Sequence, residues 1–249
     1  MGTLELAKPG GKLEQAEKYF NFGIDRRGNQ IAPLVSKAEN WAVAAQNKDA
    51  FKQLLLQAIQ VLHPLNLLLS IHLIKTNYIH YGENRVQEAF DKWTNLLSKK
   101  SDIKLHLIGR LQSNKAELAF NLFEYIHSLD SEKLANIFSN LENKHKKKLK
   151  YFIQVNIGDE PQKGGVKQND VNNFVDYCKI KLNLDVIGLM CIPPEKLNPE
   201  IFFSKISIMN RSLGFTQLSM GMSQDYQLAI KYGSTFVRIG SKIFGDKIT

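Results

Sequence analysis

From residue 78 onward the chain alternates short apolar runs with helical patterns, and this alternation restricts its fold more than any other feature. YIHY (78–81) precedes a helical pattern at about 85–99, and LHLIG (105–109) precedes one starting near Asn114. YIHSL (125–129) leads to DSEKLANIFSNLENK, where Leu134, Ile137, Phe138 and Leu141 recur at helical spacing behind an Asp130 or Ser131 cap. YFIQVN (151–156) is followed by a loop and NDVNNFVDYCKIKL. VIGLMCI (186–192) leads to a helix near 199–213, QLSMG (217–221) to DYQLAIKYG, and FVRIG (236–240) closes the series. Repeated strand-then-helix units imply parallel strands joined by right-handed crossovers, either as an open doubly wound sheet or as a closed barrel. One further strand before residue 78 completes an α/β fold of the single (β/α)8 TIM barrel type. PLNLLLSIHL (64–73) is apolar enough to hold it. The expected division is an irregular or helical N-terminal extension over 1–60 and the barrel over 61–249. Within the extension, KLEQAEKYF and WAVAAQNKDAFKQLLLQAIQVL are helix-compatible.

Composition narrows the class. With 43% hydrophobic and 23% charged residues, the chain of 249 residues is an ordinary globular protein with ample core. It has no apolar run long enough to span a bilayer, and its start, MGTLELAKPGGKLEQ, lacks a secretory leader's apolar stretch, so a cytoplasmic location is expected. Cys178 and Cys191 are too few for a disulfide framework or metal cluster and read as small buried hydrophobes. The net charge of +9 is uneven: KHKKKLK (144–150) reads as a solvated connector, and no zinc-finger or aromatic-basic pattern points to nucleic acid.

Polar residues collect where strands end: Gly82-Glu83-Asn84, Gly109 with Gln112 to Lys115, Asn156, Ser219 to Ser223, and Arg238 to Ser241. In barrels of this type that end carries the binding groups. Arg238 is unusual because the FVRI strand carries it inward, and a buried guanidinium needs a partner. The plain reading of that partner is a neighbouring carboxylate. Gly240 and Ser241 add backbone N–H groups and a hydroxyl suited to a phosphate. Ser223, ahead of QDYQLAI, reads as a helix N-cap, a position compatible with the same task.

YGENRVQEAF, LHLIGRLQSNKA, IQVNIGDEPQKGGV, GLMCIPP and LSMGMSQDYQLAIKYGSTFVRIGSKIFG together resemble the pyridoxal phosphate homeostasis protein family, in the family's order, over roughly residues 78–245. The resemblance implies a barrel similar to the N-terminal barrel of alanine racemase, holding pyridoxal 5′-phosphate (PLP). It implies a role in vitamin B6 homeostasis, buffering the cofactor and delivering it to client apo-enzymes, rather than robust catalysis. Carried over residue by residue, it places Arg238 against the pyridine nitrogen, which a guanidinium keeps unprotonated, and Asn84 facing the ring. Gly240, Ser241 and Ser223 hold the phosphate. A PLP-dependent racemase-like enzyme and a degenerate member without covalent binding are the alternatives.

One family feature is missing. The resemblance implies a Schiff-base lysine at the end of the first barrel strand, near positions 61–63, but the chain there reads QAIQVLHPLNLLLS, with no lysine between Lys52 and Lys75. Lys37 in PLVSKAEN has matching neighbours but lies far upstream, Lys75 follows too late, and Lys115 belongs to another motif. A diverged or out-of-frame stretch upstream of His63 would remove the lysine and leave residues 78–245 intact.

Overall fold

Eight strands form a closed ring, and each is parallel to both neighbours. The structure, a computed structural model, describes residues 58–61, 79–97 and 102–241. In chain order the strands are β1 (Ala58–Val61), β2 (His80–Glu83), β3 (Lys104–Leu107), β4 (Tyr125–Leu129), β5 (Lys150–Asn156), the two-residue β6 (Val166–Lys167), β7 (Asp185–Cys191), β8 (Gln217–Met222) and β9 (Phe236–Ile239). They pair in the order β4-β3-β2-β1-β9-β8-β7-β5, and the β4–β5 pairing closes the circle. β6 is a side branch on the end of β5. The expected (β/α)8 TIM barrel is therefore the observed fold.

The strand that completes the ring is not where the apolar run predicts it. It is Ala58–Val61, at the end of the helix-compatible segment and ahead of PLNLLLSIHL, which lies outside the described residues. Main-chain pairing decides this: Gln60 is in register with both Tyr81 of β2 and Ile239 of β9. Such a ladder outweighs local helical preference. The barrel thus begins within the stretch expected as extension, of which residues 1–57 lie outside the described residues.

The helices are α1 (Val86–Leu97), α2 (Ala116–Leu122), α3 (Glu132–His145), α4 (Val171–Asp176, continued by a π-helical turn over Tyr177–Lys181), α5 (Pro199–Ser212) and α6 (Tyr226–Lys231). α3 starts at Ser131 in extended conformation, without a side-chain cap hydrogen bond, and buries Leu134, Phe138 and Leu141 of the expected face, with Ile137 half-buried. α5 starts with the Asn198 side chain accepting from the Glu200 N–H and with Pro199 in its first turn, where a missing N–H costs nothing. Gly221 stands at φ +89°, and a Cβ there would lie 2.5 Å from that of Ala229. Only glycine lets α6 pack this closely on β8.

Between ring and helices lies the main core, with Trp93, Phe120, Phe138, Tyr151 and Phe203 fully buried. A smaller cluster of Tyr125, Phe152 and Met190, with Phe236 beside it, fills the barrel interior. The two cysteines are buried and free, as expected. KHKKKLK is more than a solvated connector. Lys147 donates to the Phe120 carbonyl at 2.9 Å, and Lys148 pairs with the buried Glu142 at 2.8 Å. Glu142 also accepts from the Leu149 N–H and the Tyr151 hydroxyl, tying α3 to β5. Among the described residues no helix is long and apolar enough to cross a membrane.

Candidate functional site

The C-terminal ends of β8 and β9 bring three expected site residues together. β9 carries Arg238 into the barrel, where it is 4% exposed. Its Nη1 donates to the Ser219 carbonyl (3.2 Å) and to Ser219 Oγ (2.9 Å), and its Nη2 donates to the Cys191 carbonyl (2.8 Å). Among the described residues it has no carboxylate in ion-pair contact. The first reading of a buried arginine, a structural ion pair, is therefore not found among the described residues. The guanidinium is instead held by neutral acceptors from β7 and β8 and keeps its full charge beneath the mouth.

Two residues beyond Arg238, the Gly240 N–H donates to Ser223 Oγ at 3.1 Å. Ser223 is 6% exposed, Gly240 half-buried, and Ser241, next in the chain, exposed. The backbone donor and the hydroxyl thus meet each other at the adjacent ends of β9 and β8. Asn84 stands exposed at the end of β2, one strand beyond β1 in the ring. Its backbone lies so close to Gly109 that a Cβ on Gly109 would meet Asn84 O at 2.1 Å.

Several other polar residues of the strand ends serve structure. Glu83 turns away from the mouth and accepts from Lys92 Nζ (2.8 Å) and Trp93 Nε1 (2.7 Å), pinning α1 to β2. Burial pushes its carboxyl up against the opposing pull of Lys92 and Trp93. Because both ends of the Glu83–Lys92 pair are buried, Glu83→Ala is expected to cost about 3–5 kcal/mol, read as a lower urea midpoint with unchanged slope. Asn156 braces its own loop, donating to the Glu160 carbonyl and accepting from the Glu160 N–H. Lys115 Nζ donates to Gln87 Oε1 on the surface at 3.2 Å. Lys37 and Lys75 lie outside the described residues. β1, the strand at the position where the family lysine is expected, reads AIQV.

The sequence reading missed a set of histidines. His80, His106 and His127 each follow an isoleucine or leucine in three successive barrel strands, and they form a hydrogen-bonded row that ends on Ser219. The recurrent pattern IHY, LHL, IHS was the available signal. Among the described residues no group of His, Cys, Asp or Glu is arranged to hold a metal.

The family model for the alanine racemase N-terminal domain matches residues 64–248. The pyridoxal phosphate homeostasis protein of Aquifex aeolicus is 39% identical over 176 residues, covering 67% of this chain and 76% of that one. The protein of the same name from Schizosaccharomyces pombe is 36% identical over 212 residues, covering 80% of this chain and 86% of its own. PipY of Synechococcus elongatus PCC7942, solved with PLP bound, superposes with a TM-score of 0.71 at 30% identity, over 85% of this chain and all of PipY (100%). The alanine racemase of Clostridium difficile 630 shares the fold alone, with a TM-score of 0.60 at 12% identity over 78% of this chain and 53% of the racemase. The chain belongs to the alanine racemase N-terminal domain family and, within it, to the pyridoxal phosphate homeostasis proteins.

Proposed function

We propose that this protein holds PLP at the ends of β8 and β9 for cofactor homeostasis, in the cytoplasm, passing it to client apo-enzymes without catalytic turnover of its own. The observation that carries this reading is a buried guanidinium that, among the described residues, has no carboxylate in ion-pair contact, lying beneath the Gly240 N–H and the Ser223 hydroxyl. That combination fits a ligand with a weakly basic ring nitrogen and a phosphate. A relative at 30% identity was solved with PLP bound, which supports the same assignment. Bound PLP supplies an aldehyde and an electron-accepting ring.

The chain's residues would act on the ligand as follows. Ser223 and Ser241 offer hydroxyls to the phosphate, and Gly240 its N–H, which the phosphate would take over from Ser223 Oγ. Asn84 lines the ring from β2. Arg238 cannot give up a proton, so it keeps the ring nitrogen unprotonated and the ring a poor electron sink, which favours storage over turnover. The described residues supply no lysine from β1, so the proposed hold rests on phosphate and ring contacts.

Absorbance titration of purified protein with PLP, followed by dialysis, tests the reading. Saturable, retained cofactor is expected, with no enantiomer exchange on added amino acids. The Ser223→Ala/Ser241→Ala double variant is expected to weaken retention about a hundredfold or more, since each hydroxyl on a charged acceptor contributes roughly 1.5–3 kcal/mol. Equal retention in the double variant removes these residues from the site, and absence of binding by the natural chain overturns the function. Borohydride reduction with PLP, then mass spectrometry, identifies any lysine that becomes linked.

A further inference from the structure

A row of hydrogen bonds crosses the barrel interior from the bottom of β2 to Arg238. His80 Nδ1 lies 2.8 Å from His106 Nε2, His106 Nδ1 lies 3.0 Å from His127 Nε2, and His127 Nδ1 lies 2.9 Å from Ser219 Oγ. Ser219 Oγ in turn accepts from Arg238 Nη1 at 2.9 Å. His106, His127 and Ser219 are all 0% exposed. The rings are clamped: Tyr125 stacks on His106 with centroids 4.1 Å apart, and Phe152 stacks on His127 at 4.3 Å.

Counting hydrogens fixes the direction of the row. Each of its three links needs one hydrogen, and a neutral imidazole has one N–H to give. Two arrangements satisfy all three links: every ring protonated on Nδ1 and pointing toward Ser219, or every ring protonated on Nε2 and pointing away. They differ at Ser219. Among the described residues its Oγ has two partners, Arg238 Nη1, which can only donate, and His127 Nδ1. If His127 also donated, the serine's own hydrogen would be buried without an acceptor, at a penalty. If Ser219 donates to His127, each hydrogen along the row finds a partner, and His80 keeps its Nε2–H at the open end.

We propose that His80, His106 and His127 form a one-way chain of neutral Nε2–H imidazoles begun by the Ser219 hydroxyl, and that His127, acting through Ser219, is a positioning residue for the Arg238 guanidinium. The chain is a property of the protein alone. Its consequence for a bound cofactor rests on the placement of Arg238 at the pyridine nitrogen. Charge at both ends agrees with neutral rings. Lys104 and Lys150 stand near His80, and Arg238 stands near His127. Burial and these cations bring His80 down to about 4 and hold His106 and His127 well below the ordinary imidazole range.

Long-range proton–nitrogen NMR of cofactor-free protein at pH 7 tests the chain. All three rings are expected as Nε2–H tautomers, with slowly exchanging Nε2 protons on His106 and His127. An Nδ1–H tautomer or a charged ring among the three overturns it. The positioning role is read from the Arg238 Nη protons and from PLP affinity. His127→Asn keeps an acceptor close to the position of Nδ1 and is expected to leave the Arg238 protons protected. His127→Phe fills the space but offers Ser219 no acceptor, so its Arg238 protons are expected to exchange fast and its PLP affinity to fall about fivefold, the worth of one hydrogen bond. A packing role for His127 predicts the reverse order, Phe better than Asn, and that order overturns the positioning role. Should either variant fail to fold, Ser219→Ala is the smaller cut: loss of the single His127 tautomer supports the chain, and its retention overturns it. Failure of the natural protein to bind PLP would sink the functional proposal while the cofactor-free spectra still decide the chain.

Discussion

Replacing Arg238 with glutamate is expected to lower the melting temperature by about 10 °C and, in whatever protein still folds, to change the protonation of bound PLP. The stability loss follows from the three hydrogen bonds that the guanidinium makes to Ser219 and Cys191. A carboxylate would face the same two carbonyls and the serine oxygen without a proton to offer. Stranding such buried acceptors costs roughly 1–3 kcal/mol each, and in a chain of this size 1 kcal/mol corresponds to about 2–4 °C. The spectral change follows from charge, since a carboxylate beside a pyridine nitrogen stabilises its protonated form where a guanidinium opposes it. Thermal melts and spectra with and without PLP separate the two effects. A destabilised variant whose bound-cofactor spectrum matches the natural protein's at every pH would leave Arg238 a structural residue only.

Acid should weaken the fold steeply, and the interior histidines give the sign. His106 and His127 are held neutral in the barrel, well below the ordinary imidazole value near 6.5 that they regain on unfolding. Below that value the unfolded chain binds more protons than the folded one, so stability falls as pH falls, by about 1.4 kcal/mol per pH unit for each ring. His80, held at about 4, adds to the loss until the pH reaches that value. Glu83 and Asp130, whose carboxyls burial pushes up, act in the opposite sense but titrate equally in a variant. Urea midpoints across this range for the natural protein and for His106→Leu isolate one ring, and the variant's slope is expected to be shallower by about 1.4 kcal/mol per pH unit. Equal slopes for His106→Leu and the natural protein would mean that the ring is already charged in the fold.

Most of the barrel was legible because its strands are buried on both faces and read as unbroken apolar runs. LHLIG, YIHSL, YFIQVN and VIGLMCI each fall on a strand. Ala58–Val61 was not legible. It is short, has a glutamine at its centre, and follows a segment with helical spacing, while the more apolar PLNLLLSIHL lies just downstream. Its identity as a strand comes from the two neighbours it pairs with, which no local window contains. The site divided in the same way. Arg238, Gly240 and Ser223 stood out because each is an unusual residue for its place in a strand or at its end. Glu83 looked like their companion, yet its partners Lys92 and Trp93 sit one helix further on, a direction that spacing alone does not give. The histidine row joins residues 26, 21 and 92 positions apart, so each ring seen singly passes for core.

The four residues of β1 join the ring through main-chain groups, which do not read the identity of a side chain. Architecture and covalent chemistry are therefore separable at this strand. A lineage can lose the reactive amine expected there and still inherit an intact scaffold, because the selection that preserves closure of the ring does not act on the residue that would bond to the cofactor. The barrel then persists as a vessel whose proposed grip lies on the strands beside β1, at β9 and β8, free to trade permanence of binding for ease of release.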